Sequence, residues 1–192
     1  KMKPISRAIW DGILTMPLVL PPTVAGFFLL LIFSLRRPFG KILLTNFDFK
    51  VVQTWKGCVI AAAVIAFPLM YRNARAAFEQ VDVNLIYAGQ TLGMSDHRIF
   101  WKVIVPAAGP GIASGTVLAF ARAIGEYGAT SMLAGNILGK TRTVSVAIAA
   151  ETSAGNYDIA GFWVVVIVMI SFAIVALINI VSGRGMKSRR WS

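Results

Sequence analysis

The chain is 192 residues long, 57% hydrophobic and only 14% charged, whereas a soluble domain is ordinarily about a quarter charged. This composition excludes a disordered chain, and the single cysteine, Cys58, excludes a scaffold of disulfides. Nineteen Lys and Arg against eight Asp and Glu give a net charge of +11, which in so apolar a chain favours basic loops beside a membrane.

Four apolar segments predict an all-α, polytopic transmembrane protein. The uncharged runs at 12–35 and 159–183 each exceed the roughly 20 residues that a helix needs to cross the hydrocarbon core. A shorter run lies between Lys56 and Arg72, whose long side chains can reach the membrane surface. We predict spans at about 12–35, 55–77, 105–130 and 159–183 in a single domain, 1–192. Both termini then lie on one side, and the distribution of Lys and Arg favours the cytoplasm.

Prolines interrupt three of these spans. A proline removes a backbone donor, and in lipid the freed carbonyl needs another partner in protein or in a wet cavity. A kinked structural helix and a broken helix that lines a path both fit the pattern. The residues concerned are Pro17, Pro21 and Pro22 in the first span, Pro68 in the second, and Pro106 and Pro110 at the start of the third.

The predicted cytoplasmic loop, about 78–104, has the pattern of a helix, a sharp turn and a second helix. Asp82 can cap the first helix, and Gly93 can take a left-handed conformation at its end. Ser95 or Asp96 can cap the next helix. Taken alone, the pattern predicts a short amphipathic helix at the membrane surface.

The spacing in this loop resembles the E-A-A, three residues, G, nine residues, I-x-L-P loop of permease subunits of ATP-binding cassette importers. Tyr87, Ala88 and Gly89 stand at the E-A-A positions, and Gly93 and Pro106 match in identity and spacing. Tyr87 and Gly89 depart from the family's residues. The resemblance implies a coupling helix that seats in an ATPase subunit. ATP and Mg²⁺ would then be bound by that partner, leaving this chain without catalytic residues or a cofactor.

Two further stretches are similar to signatures of molybdate permeases: MPLVLPPTVAG at 16–26 and GTVLAFARAIGEYGAT at 115–130. The resemblance implies an importer subunit for molybdate or tungstate in the cytoplasmic membrane of a prokaryote. It also implies a homodimer and an extracytoplasmic oxyanion-binding protein. Sulfate permeases share a variant of the second stretch, so a sulfate-type permease is an alternative. The family has another helix before the first stretch, and we therefore expect this chain to be a fragment or a truncated product.

Arg122 and Glu126 are the only charges within the third predicted span and would share a face of one helix. Because intramembrane charges are costly, such residues are candidates for a functional role. The pair could fix helix packing or set a gate between inward and outward states, and Arg122 could also coordinate the oxyanion. Gly111 and Gly115 form a G-x-x-x-G pattern that permits close approach of a helix, either from the same subunit or from a second copy.

Lys140 and Arg142 follow the third span on the predicted outer side, at the end of a relaxed phosphate-loop pattern at 134–141. No buried strand is expected before it, so an ATP site is not predicted. The two cations can make an outer mouth that attracts anions, or simply a solvated turn.

Other classes of function fit the sequence less well. A membrane-embedded hydrolase needs a nucleophile and a base in the membrane, but the only histidine, His97, lies in the cytoplasmic loop. A channel is a further alternative. Metal ligands are too scattered for a metal site, and nucleic-acid binding would need a folded basic face with stacking aromatics. The basic tail at 184–192 is instead predicted to contact membrane lipid.

Overall fold

The computed structural model of the chain describes residues 4–187, and all regular structure in this part of the chain is helical. Ten α-helices are connected by short loops, with one π-helical turn (Phe100–Ile104) between the sixth and seventh. They are α1 (Pro4–Val19), α2 (Pro22–Phe33), α3 (Pro38–Phe47), α4 (Trp55–Glu79), α5 (Val83–Thr91), α6 (Asp96–Ile99), α7 (Val105–Ile124), α8 (Gly128–Leu133), α9 (Val144–Ser153) and α10 (Tyr157–Lys187).

Three described helices are long and apolar enough to cross a membrane. They are α4, the continuous helix Asp96–Ile124, and the segment Tyr157–Ala176 of α10. The second of these begins nine residues before the predicted span at 105–130 and ends before it, because Gly125 caps α7 and a separate short helix, α8, follows. The fold is therefore all-α and polytopic, as the sequence predicts.

The predicted span at 12–35 is two helices, α1 and α2, which meet at an angle of 112°. Pro21 and Pro22 account for the break. A residue before proline is driven away from the helical conformation, and Pro21 accordingly has φ −53° and ψ 134°. Pro22 then starts α2, where the missing N–H costs nothing. Pro21 and Pro22 therefore break the first span, whereas Pro68 and Pro110 lie inside continuous helices. A path along the break stays a prediction.

The π-helical turn Phe100–Ile104 comes directly before Pro106. In a regular α-helix the ring of Pro106 would clash with the carbonyl of Lys102, four residues earlier. The wider turn includes Lys102 and relieves that clash, so the helix continues through the proline.

The buried core lies where α2, α4 and α8 meet, around Leu29, Ile65 and Leu133. Alongside it, α7 packs against α4 through its G-x-x-x-G pattern. A Cβ on Gly111 would lie 2.6 Å from the Cβ of Ala77, and one on Gly115 would lie 2.6 Å from the Cβ of Asn73. The motif therefore makes a contact within the subunit, which decides between the two alternatives left by the sequence.

Candidate functional site

The helix α5 of the candidate coupling loop is closed at both ends by local interactions. Asp82 caps its start, where the carboxylate accepts a hydrogen bond of 2.9 Å from the Asn84 N–H. At its end Gly93 has φ +70°, and its N–H donates to the Gln90 carbonyl while Met94 N–H donates to the Gly89 carbonyl. This is a Schellman motif. The predicted Asp82 cap and left-handed Gly93 are both confirmed.

One face of α5 packs inward and the other stays open. Gly89 is buried against Ile99, and a Cβ added there would lie 3.0 Å from Ile99 Cγ1. A larger residue at position 89 would push the two helices apart. Tyr87 and Ala88 are exposed, together with other apolar side chains of the loop: Val83, Leu85 and Leu92.

The residues of the importer-like pattern thus lie in three different parts of the structure. Tyr87, Ala88 and Gly89 lie on α5, and Gly93 forms the turn that ends it. Pro106 lies beyond the π-helical turn, near the start of α7. Pro106 therefore marks where the chain passes from the loop into the next spanning helix. It is not part of the apolar surface, which is formed by α5 and its end.

Arg122 and Glu126 form an ion pair, but they do not share a helix as expected. Arg122 is in the last turn of α7, whereas Glu126 follows the cap residue Gly125, in the turn before α8. Arg122 Nη1 lies 2.8 Å from Glu126 Oε2, in an orientation without a well-directed hydrogen bond. Glu126 Oε1 accepts a hydrogen bond of 2.7 Å from the Ala129 N–H. One carboxylate therefore fastens the end of α7 to the first turn of α8.

Glu126 is only 3% exposed and lines a cavity of about 300 Å³. Cys58, Thr130 and Thr143 contribute polar atoms to the same cavity, and the remaining wall is largely apolar. Glu126 lines this cavity and Arg122 does not, so an anion in the cavity would meet the Glu126 carboxylate and not the Arg122 guanidinium. The arrangement therefore favours a packing or gating role for the pair over direct coordination of an oxyanion.

Arg142 is held by polar partners on the predicted outer side. Its Nε lies 2.8 Å from Asn136 Oδ1, and its Nη1 lies 2.9 Å from Glu151 Oε1. Asn156 donates to the other Glu151 oxygen. These contacts clamp the loop after α8 to the end of α9. Lys140 is exposed on the same loop, so anion attraction at this mouth stays a prediction that rests more on Lys140 than on Arg142.

The outer clamp should be sensitive to acid. Hydrogen bonds from Asn156 and Arg142 lower the pKa of the Glu151 carboxyl from its ordinary value of 4.5. The clamp's contribution to stability is therefore complete above about pH 4.5 and is lost as the pH falls through the lower, folded-state pKa. We expect hydrogen exchange at 136–156, corrected for intrinsic rates, to speed up on acidification below about pH 4.5. Glu151→Gln should abolish that increment, and an equal increment in the variant would contradict the clamp.

A second charged cluster, which the sequence patterns do not predict, joins α1 to α4. Asp11 Oδ1 accepts a hydrogen bond from the Tyr71 hydroxyl, and Asp11 Oδ2 pairs with Arg75 Nη1. Arg75 Nε also lies 2.9 Å from Glu79 Oε1. Tyr71, Arg75 and Glu79 recur at intervals of four and so share one face of α4, which was the available signal. Asp11, which borders a long uncharged run, was not connected with it.

Several membrane-spanning helices, joined by a loop that carries a capped helix with an open apolar face, define a class: a membrane component of a transport system. Residues 1–181 match the family of binding-protein-dependent transport system inner membrane components, and the chain belongs to this family. It is a multi-pass protein of the cytoplasmic membrane.

The chain is similar to permeases named for oxyanion transport. The molybdenum transport system permease protein ModB of Escherichia coli K12 is 46% identical over 142 residues, which cover 74% of this chain and 62% of the relative. YvgM of Bacillus subtilis, whose name proposes a molybdenum transport permease, is 44% identical over 85% of this chain and 72% of the relative. The sulfate transport system permease protein CysT of Salmonella typhimurium is 33% identical over 93% of this chain and 64% of the relative. The resemblance to molybdate permeases is confirmed.

Proposed function

We propose that this chain is the membrane subunit of an ATP-driven importer for molybdate or tungstate. The observation that carries the proposal is the open apolar face of α5, held between two spanning helices by the Asp82 cap and the Gly93 turn. In a soluble loop such a surface would be costly, and exposed apolar patches usually mark a docking site. The greater identity to permeases named for molybdenum than to the one named for sulfate supports the choice of substrate.

In this proposal, partner subunits supply the remaining parts of the transporter. The ATPase subunit would receive α5 in a cleft and would bind ATP and Mg²⁺, so this chain would contribute no catalytic group. A second copy of the chain would supply the other wall of the path, since residues 4–187 of one copy contain three or four candidate spans. An extracytoplasmic binding protein would dock on the outer loops.

Substrate choice within this proposal belongs mainly to the binding protein. Molybdate, tungstate and sulfate are all tetrahedral dianions, so a path lined by backbone and hydroxyl groups discriminates weakly among them. A sulfate-type permease is the second candidate, and the CysT relative, which matches 93% of this chain, is the observation that favours it.

The test is uptake into vesicles that hold the full-length permease with its ATPase and its own binding protein. Molybdate, tungstate, sulfate and phosphate compete for entry. We expect molybdate and tungstate to compete with each other and sulfate to compete poorly. Strong sulfate uptake with molybdate inert would contradict the molybdate assignment and leave an importer. If no anion enters with both partners present, the importer proposal itself fails.

Gly93→Val should uncouple the ATPase without preventing insertion. No atom lies within 4 Å of a Cβ added at Gly93, so the variant has space, but a β-branched residue at φ +70° stores about 1 to 3 kcal/mol of strain. Binding-protein-stimulated ATP hydrolysis and uptake should both fall while the amount of permease in the membrane is retained. Gly93→Asn is the matched control, because Asn tolerates the left-handed conformation and should keep most of the stimulation. Full stimulation in Gly93→Val would contradict the role of this turn.

A further inference from the structure

α1 contacts the other described helices mainly through α4. None of its described side chains is buried, whereas α2 buries Ala25, Gly26 and Leu29. α2 packs against α8, α3 and α4, while α1 packs against α4. The two helices meet at the break around Pro21, where the chain turns through 112°. α1 is therefore an arm attached to the bundle at a bend that has lost helical backbone hydrogen bonds.

The face between α1 and α4 is open where the charged cluster lies. A cavity of about 840 Å³ lies there, and the residues of the cluster line it together with Trp10 and Leu14 of α1 and Ala74 and Phe78 of α4. Close packing therefore does not fix the position of the arm at this level. The contacts from Asp11 to Tyr71 and Arg75 bridge the two helices at this point.

The cluster lies at the end of α4 that leads into the candidate coupling helix. Glu79, which pairs with Arg75, is the last residue of α4, and only 80–82 separate it from α5. That connection is held by hydrogen bonds from Gln80 N–H to the Ala76 carbonyl and from Val81 N–H to the Phe78 carbonyl. A displacement of this end of α4 would therefore be passed directly to α5.

The same end of α4 also touches the helix that follows α5. The rings of Phe78 and Phe100 are stacked, with centroids 6.2 Å apart and planes inclined by 20°. Phe100 begins the π-helical turn that leads into α7. Both ends of the coupling loop are thus connected to the part of α4 that Asp11 holds.

We propose that Asp11, Tyr71 and Arg75 form a latch that ties the α1 arm to the end of α4 and positions α5 for coupling. Asp11 acts through α4, so it is a positioning residue and not part of a binding site. When α1 moves during transport, the latch carries that movement to α5. This inference rests on the proposed importer function, and it names the residues by which the membrane part communicates with the ATPase.

The first test measures the position of the arm in the purified full-length permease bound to its ATPase. In a Cys58→Ser background, spin labels at Ile5→Cys on α1 and Ala63→Cys on α4 report the distance between the two helices, since both positions are exposed. We expect Asp11→Asn and Arg75→Gln to broaden the distance distribution. Asp11→Glu, which keeps the charge, should broaden it less. Arg72→Gln is the matched control, because Arg72 is an exposed cation on the same helix and should leave the distribution unchanged.

The second test measures coupling as the ratio of binding-protein-stimulated to basal ATP hydrolysis. Asp11→Asn should lower that ratio at least about fivefold, the lower end of ordinary coupling between sites, while assembly with the ATPase persists. An unchanged distance distribution in Asp11→Asn would overturn the latch. A broadened distribution with an unchanged ratio would overturn its role in coupling. The distance measurement does not depend on transport. A wild-type complex that imports no anion would therefore contradict the proposed function, and the distance distribution would still decide whether the latch forms.

Discussion

Arg122→Ala should lower the free energy of unfolding by about 3 kcal/mol, because it leaves the Glu126 carboxylate buried without its cation. This is the lower end of the cost of breaking a buried pair, since Arg122 keeps 35% of its side chain exposed while Glu126 keeps 1%. Glu126→Ala should lower the free energy of unfolding by a comparable amount, because it leaves the Arg122 guanidinium without its carboxylate. It also removes the acceptor of the Ala129 N–H, which lies in the first turn of α8.

Glu126→Gln separates the two roles of this residue. The amide oxygen of glutamine can still accept from Ala129 N–H, but the negative charge is gone. If the charge pair matters most, Arg122→Ala with Glu126→Gln should be more stable than Arg122→Ala alone. If the bond to Ala129 matters most, Glu126→Gln should be close to wild type while Glu126→Ala is not.

The measurement is thermal unfolding of the solubilised complex, read by size-exclusion fluorescence, together with anion uptake. Strictly additive losses in the double variant would mean that the two residues act separately, despite the 2.8 Å between Arg122 Nη1 and Glu126 Oε2. A double variant that is stable but cannot transport would assign the pair to the gate, whereas full recovery of transport would assign it to packing.

Features fixed by neighbours in the chain could be predicted from the sequence. The spans of α4 and α10 follow from the length of apolar segments, because the membrane sets the length that a helix must reach. The segments 12–35 and 105–130 contain a break and a helix end that segment length does not show. The Asp82 cap and the Gly93 turn follow from hydrogen bonds within five residues. The break at Pro21 and Pro22 is equally local, although its angle of 112° does not follow from the residue types.

Features that join distant segments could not be predicted in the same way. Spacing placed Arg122 and Glu126 one turn apart, but it did not reveal that α7 ends at Ile124 and that Glu126 accepts a hydrogen bond from the next helix. The pair of Asp11 and Arg75 spans 64 positions, and no periodic pattern connects residues so far apart. The G-x-x-x-G pattern indicated a close approach without naming the helix that makes it.

Gly26→Val should be as damaging as the loss of the ion pair, because the space at Gly26 is closed by backbone. A Cβ there would lie 2.6 Å from Ala129 Cα and 2.9 Å from the Ala129 carbonyl oxygen. The position of α8 is also fixed by Leu133, which is 1% exposed in the core that α8 shares with α2 and α4. Neither backbone can move aside without opening that core, so we expect a loss of about 3 kcal/mol, the upper part of the usual range for overpacking.

Gly109→Ala and Gly111→Ala are the controls for Gly26→Val. No atom lies within 4 Å of a Cβ at Gly109, so alanine there should stabilise α7 slightly, by about 0.5 to 1 kcal/mol. At Gly111 the obstacle is the Cβ of Ala77, which is fixed to the backbone of α4, so alanine there should be destabilising, but it adds two carbons fewer than valine adds at Gly26. In thermal unfolding of the solubilised complex we therefore expect the order Gly109→Ala, Gly111→Ala, Gly26→Val from most to least stable. If Gly26→Val unfolded at the temperature of Gly109→Ala, α2 and α8 could not be in backbone contact, and the α2–α8 part of the core would have to be rebuilt.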